Sequence, residues 1–188
     1  LENYKFKKPL IVYNFFLGDL KDKMTNNKNL IILNENSNLE MIEFNTDISK
    51  GNFVQNNHTS IKIGKNSSLK NYTVQGCKSN GFFYKYTNCT LEKDSSHDDY
   101  IFSSGLKFNK IEIDLNIEGE HSNCNVQSAL FLDSSSHQEI KTQINHLKPN
   151  SKSYQKIKKV LNEGSKGAYQ GKIFVKDIAQ KTDAYQLK

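Results

Sequence analysis

At 188 residues, with 36% hydrophobic and 11% aromatic side chains, the chain is long enough for one substantial domain and too rich in large apolar residues for a disordered segment. Its formal charge is +6, yet all 26 basic residues are lysine and alternate with Asp and Glu, which excludes the bidentate arginine grip of a nucleic-acid site. No apolar run approaches the roughly 20 residues of a membrane-spanning helix, so neither nucleic acid nor membrane is expected as a partner.

The amino-terminal stretch LENYKFKKPLIVYNFF sets basic residues ahead of an apolar run, but Tyr13 and Asn14 interrupt it and no small-residue cleavage site follows. A first strand is expected there, not a signal peptide. Short apolar clusters then recur: Ile31 to Leu33, Met41-Ile42, Phe53-Val54, Ile61 and Ile63, Tyr72 and Val74, Phe82-Phe83, Ile101-Phe102, and on to Ala129 to Leu132. Most steps are close to ten residues, with Asn, Gly, Ser, Asp and Lys between them as turn formers. In KIEIDLNIEGE, Ile111, Ile113, Leu115 and Ile117 alternate with Glu112, Asp114, Asn116 and Glu118, the pattern of a strand wet on one face.

Short strands at this spacing predict an all-β fold, either a sandwich or barrel or a solenoid. The many asparagines favour the solenoid, because stacked coils place like residues above one another and let amide side chains ladder. Residues 85–100, KYTNCTLEKDSSHDDY, read as a polar loop or an excursion between coils. Over 151–163 the spacing of Tyr154, Ile157, Val160 and Leu161 predicts a helix ending at Gly164, although strand alternation fits part of the same run.

Candidate chemistry is sparse. Three cysteines, Cys77, Cys89 and Cys124, without a CxxC spacing, argue against a disulfide framework or a four-ligand zinc site and fit reducing surroundings. His121 and Cys124 have metal-ligand spacing but no evident third and fourth ligand, and read better as a turn. Asp98 and Asp99 beside His97 resemble an acid/base cluster, yet neighbours on a strand face opposite ways. Ser151, Ser153 and Tyr154 lie near Lys152 and Lys156 with no elbow or phosphate loop around them, and no P-loop motif exists. The Asn-x-Ser/Thr triplets at Asn57, Asn66, Asn71 and Asn88 are what an Asn-rich chain produces by chance. His137 and His146 bracket QEIKTQIN nine positions apart, which puts them on opposite faces of a regular strand.

The carboxy-terminal third carries more specific words: His137, Thr142 and His146; Ser153-Tyr154 followed by Lys158, Val160 and Leu161; Gly171 to Val175; and Ala179, Gln180, Lys181, Thr182, Asp183, Ala184, Tyr185, Gln186. Together these resemble the SufB/SufD family of iron-sulfur cluster assembly proteins, on its SufD side because the Cys-x-x-Cys elements of many SufB chains are missing. Lys159 stands where that family usually has Gly, and Tyr169 where it usually has Phe. The resemblance implies a right-handed parallel β-helix, with a strand and not a helix over 151–163. It implies a scaffold and iron-handling subunit, not a self-contained catalyst, that works with SufB and the ATPase SufC in the cytoplasm or a plastid-type organelle.

On the same resemblance, residues 1–188 match one β-helical core domain without the family's terminal helical regions. Iron or an iron-sulfur cluster belongs to the assembled complex, none being firmly held by this chain. His137 and His146 are then the candidate ordering or iron-proximal groups, against the plainer reading of two hydrogen-bonded strand histidines. The rival expectation is a β-helix lyase or hydrolase of polysaccharide, against which the lack of Arg and the scattered acids count. An adhesin-like solenoid is a third, without the calcium-repeat motif that would support it.

Overall fold

The computed structural model describes residues 3–187, with side chains for all of them except 77–80. Among the described residues there are eleven strands and no helix: β1 Leu10–Phe16, β2 Met24–Leu33, β3 Asn38–Asp47, β4 Val54–Ile63, β5 Ser68–Leu91, β6 Ser96–Ile117, β7 Asn123–Leu132, β8 His137–His146, β9 Lys152–Leu161, β10 Lys166–Val175 and β11 Asp183–Leu187. Every pairing between them is parallel. The chain winds as a right-handed parallel β-helix of about six turns.

Each turn contributes one long strand to each of two faces. Face one stacks β1, β3, the first half of β5, the first half of β6, β7, β9 and β11; face two stacks β2, β4, the second halves of β5 and β6, β8 and β10. On face two, Met24 lies under Val54, Phe82, Phe108, His137 and Lys166 in turn, so one coil takes 30, 28, 26, 29 and 29 residues. The strands are longer and fewer than clusters ten residues apart suggest.

The corners that lead from face two back to face one repeat a two-residue device. A residue in the left-handed region is followed by a hydroxyl: Asn36-Ser37, Asn66-Ser67, Asp94-Ser95, His121-Ser122, Asn150-Ser151 and Lys181-Thr182. The left-handed residue bends the chain sharply, which Asn and Asp tolerate because their short polar side chains bond locally. The hydroxyl then satisfies backbone groups in the corner, as Ser67 Oγ donates to Asn34 O at 2.7 Å and accepts from Ser37 N at 2.9 Å. Asn66 donates to Asn36 at 2.7 Å and Asn36 to Asn3 at 2.9 Å, an amide ladder of the kind the composition predicts. Further rungs run from Asn27 to Asn57 and from Asn145 to Asn116.

Two local expectations are corrected. Residues 152–161 form β9, not a helix, with Ser153, Gln155 and Ile157 turned inward between β7 and β11. Backbone pairing on both sides outweighs the weak helical spacing, and Val160 and Leu161, which helped suggest the helix, are exposed. Residues 85–100 are not a loop either: Lys85 to Leu91 complete β5, Ser96 to Tyr100 begin β6, and only 92–95 turn the corner. Their polarity belongs to the interior, where Lys85, Thr87, His97 and Asp99 are all buried.

Candidate functional site

The interior changes character along the axis. In the aliphatic coils Ile111, Ile113, Leu115 and Ile117 point inward with 3% exposure or less and pack with Ile140, Ile144, Val126 and Leu132. In the earlier coils the equivalent inward positions hold Glu43, Asn45, Gln55, Asn57, Thr73, Gln75 and Lys85, all buried. Lys85 reaches across from face two to face one, where its Nζ meets Glu43 Oε2 at 2.8 Å and Thr73 Oγ1 at 3.1 Å. Asn14 donates to the other Glu43 oxygen at 3.0 Å. Burial alone would raise the Glu43 carboxyl, but the Lys85 charge and the hydrogen bonds from Lys85, Asn45 and Asn14 outweigh it and hold the group below its ordinary value.

Above this pair several buried groups of reactive type follow along the interior. His97, Asp99, Cys89 and Cys124 all face inward and are buried. Asn71 donates to Asp99 at 3.0 Å, while His97 Nδ1 lies 3.4 Å from Leu69 O and its Nε2 has no partner. Burial keeps the His97 imidazole neutral, lifts Cys124 to about 12 and raises Cys89 well above its ordinary value. Both thiols are therefore protonated at neutral pH and are poor nucleophiles and ligands as they stand. The side chain of Cys77 lies outside the described residues.

Each sequence-selected position has a definite place. Asp98 points outward to bond Asn125, away from Asp99 and His97, as strand parity predicts. His121 is the exposed left-handed residue of its corner and Cys124 is in the core, so the two do not face one site. Asn57 and Asn71 are buried. Among the described residues no group of three or more His, Cys, Asp and Glu side chains converges as a metal site would require.

His137 and His146 occupy opposite ends and opposite faces of β8. His137 is partly exposed and sits 2.8 Å from Glu139 on the outside, stacked on Phe108. His146 is sealed inside, with Nδ1 2.7 Å from Ser151 Oγ and Nε2 2.9 Å from Ser153 Oγ. Ser151 also donates to Lys148 O, so a neutral ring that donates from Nδ1 and accepts from Ser153 satisfies every partner. Burial keeps that ring neutral. His146 thus clamps the corner between β8 and β9. The Ser-His contact has no opening through which a substrate reaches it, since Ser151 and His146 are both fully buried.

The Ala179 to Gln186 segment forms the last of the repeated corners and the start of β11. Ala179 is buried; Gln180 donates to Asp177 O; Lys181 takes the left-handed conformation; Thr182 Oγ1 donates to Ala179 O at 2.9 Å. Asp183 N donates to Ser151 O, joining this corner to the one below. Gln186 lies in register with Gln155, and its amide occupies the space where a Cβ on Gly171 would stand. Sequence reading missed the corner device itself. Its signal is an Asn or Asp followed by Ser just before the face-one strands from β3 on, blurred because the steps are 30, 28, 27, 29 and 31 residues, because His and Lys replace Asn in two coils and because Thr replaces Ser in the last.

A family model for the SUF system FeS cluster assembly SufBD core domain matches residues 15–188. The chain belongs to the SufB/SufD family. No curated protein matches it. Within this SufBD core, the two departures from the family's wording touch one another: the Lys159 ammonium lies 5.9 Å from the centre of the Tyr169 ring. The Tyr169 hydroxyl bonds Thr142 at 3.1 Å and Gln155 at 3.0 Å, so the added oxygen is accommodated in the interior.

Proposed function

We propose that this chain is a SufD-like scaffold subunit of the Suf iron-sulfur cluster assembly complex, working with SufB and the SufC ATPase on iron or nascent cluster as cargo. The family match over residues 15–188 carries the reading. The SufD assignment draws its support from the Ala179 to Gln186 wording, from the absence of CxxC pairs, and from Cys89 and Cys124, which burial holds as neutral thiols unsuited to grip a cluster. Scaffolding in place of independent catalysis fits the sealed Ser151-His146 contact. The reading places the protein in the cytoplasm or a plastid-type organelle, where thiols stay reduced.

The polysaccharide-cleaving alternative is not favoured. On face two, Glu112 is paired with Lys110 at 2.9 Å and Asp114 accepts from Tyr86, so neither is a free acid poised over a groove. The test is co-expression of the full-length gene product with SufB and SufC, followed by affinity purification and sizing. A stoichiometric complex is expected; a lone protein that elutes apart from both and cleaves a glycan contradicts the proposal.

A further inference from the structure

The outer surface of face one is unlike that of face two. On face two the outward side chains include exposed apolar ones such as Leu30, Ile32 and Phe82, interspersed with Asn rungs and the Lys110–Glu112 pair. On face one they are mainly aromatic and aliphatic: Ile11, Tyr13 and Phe15 on β1, Ile42 and Phe44 on β3, Tyr72 and Val74 on β5, Tyr100 and Phe102 on β6. Tyr13 stacks on Phe44 at 5.1 Å and Tyr72 on Tyr100 at 4.8 Å, and Phe102 remains 49% exposed. Solvated surfaces rarely keep such a contiguous apolar stretch unless something covers it.

The relief of this face narrows what covers it. Strand β7 carries the outward residues Asn125, Gln127 and Ala129, with no aromatic ring before Phe131 at its end, between the larger side chains of β6 and β9. A depression of about 330 Å³ lies over Ala129, walled by Tyr72, Tyr100 and Phe102 on one side and by Lys156 and Lys158 on the other. A second, of about 450 Å³, continues over Asn125 between Asp98 and the stacked pair Tyr154–Tyr185. The two lie end to end along β7 and define a trough between β6 and β9, two strand spacings or about 10 Å apart, close to the width of one α-helix.

β7 is hydrogen-bonded on both sides, so an added strand finds no free edge here. Recognition must come from side chains entering the trough. The apolar half is flanked by two lysines and has no carboxylate in its lining; the other half holds Asp98, engaged by Asn125, and Asp183 near Lys152, so the site for carboxylates is the Lys156–Lys158 wall of the apolar half. A concave strip with an aromatic wall and a cationic wall suits an apolar ridge edged with carboxylates, not the flat surface of a bilayer.

We propose that the trough along β7 on face one docks an acidic amphipathic helix of a partner protein, with apolar side chains seated between Tyr100, Phe102 and Ala129 and carboxylates facing Lys156 and Lys158. This stands on the surface alone and holds whether or not SufB and SufC are the partners. The probes are two fluorescein-labelled synthetic helices about 14 residues long with the same Leu/Phe stripe, one with Glu and one with Lys on the flanks. Fluorescence polarisation against the full-length protein should show the Glu helix binding about tenfold or more tighter than its Lys twin.

The double substitution Lys156→Glu with Lys158→Glu should reverse that preference. Ala129→Arg, at an exposed position, should abolish binding while leaving the circular dichroism spectrum unchanged. Equal binding of the two helices, no binding of either, or binding indifferent to Ala129→Arg overturns the proposal. So does Ala129→Arg-sensitive self-association in sedimentation, which would make the occupant a second copy, or Ala129→Arg-sensitive capture by phosphatidylglycerol vesicles, which would make it a membrane.

Discussion

The polar layer that Glu43 and Lys85 bridge across two consecutive coils and the aliphatic coil built on Ile111 to Ile117 have the same backbone, the same parallel register and opposite interiors. One closes on aliphatic side chains that need only shape; the other closes on an ion pair, amides and hydroxyls that need partners. A stacked solenoid tolerates both because its backbone hydrogen bonds run between coils and do not depend on what fills the middle. The aliphatic coil is stabilised by burial and is forgiving of chemistry. The polar coil is conditionally stable, since each buried group is acceptable only while its partner is present.

The sharpest way to break the contrast is Lys85→Met. It leaves Glu43 buried without its counter-charge and should cost about 3–5 kcal/mol, whereas Lys85→Met combined with Glu43→Leu should recover most of that loss, as denaturant unfolding will show. Leu115→Ala in the aliphatic coil should cost about 2–5 kcal/mol with no second-site polar rescue, measured in the same way. If the double substitution at 43 and 85 remains as unstable as the single one, the two interiors do not differ as described.

Acid provides a graded version of the same test. His97 and His146 have pKa values depressed below 6.5 by burial, so the folded state resists protons that the unfolded chain accepts. Their contribution is fully present above 6.5 and is lost as pH falls below it. Glu43, depressed below 4.5, acts in the same direction in a lower window. Unfolding midpoints should therefore decline in two stages, the first reduced by His97→Gln, which leaves only the His146 share, and the second removed by the Glu43→Leu, Lys85→Met pair. The smallest effect is expected at the far end, where a double-mutant cycle of Lys159→Met and Tyr169→Phe should give a coupling of about 0.5–1 kcal/mol. Additive losses there would show that the two residues do not cooperate.

The same contrast explains what was legible in the sequence. Ile111 to Ile117 announce their strand because apolar residues alternate with polar ones. Lys85, Thr87, His97 and Asp99 conceal theirs because both faces are polar, and a run polar on both faces looks like a loop. The helix expected over 151–163 arose from Val160 and Leu161, which the structure leaves exposed beside the inward Ile157. Asparagine content did point to ladders, and the nine-residue separation of His137 and His146 did place them on opposite faces. The Lys85–Glu43 contact was beyond reach, because two residues 42 apart meet only once the coil length is known.

The most direct test is the titration of the Glu43 side chain, followed through its carboxyl carbon by NMR as the pH is lowered from neutrality. Glu43 should stay ionised below the ordinary glutamate value of 4.5. Protonation at or above 4.5 would contradict the account, because it would mean that Lys85 does not compensate the buried carboxylate and that the polar coil is held by something else.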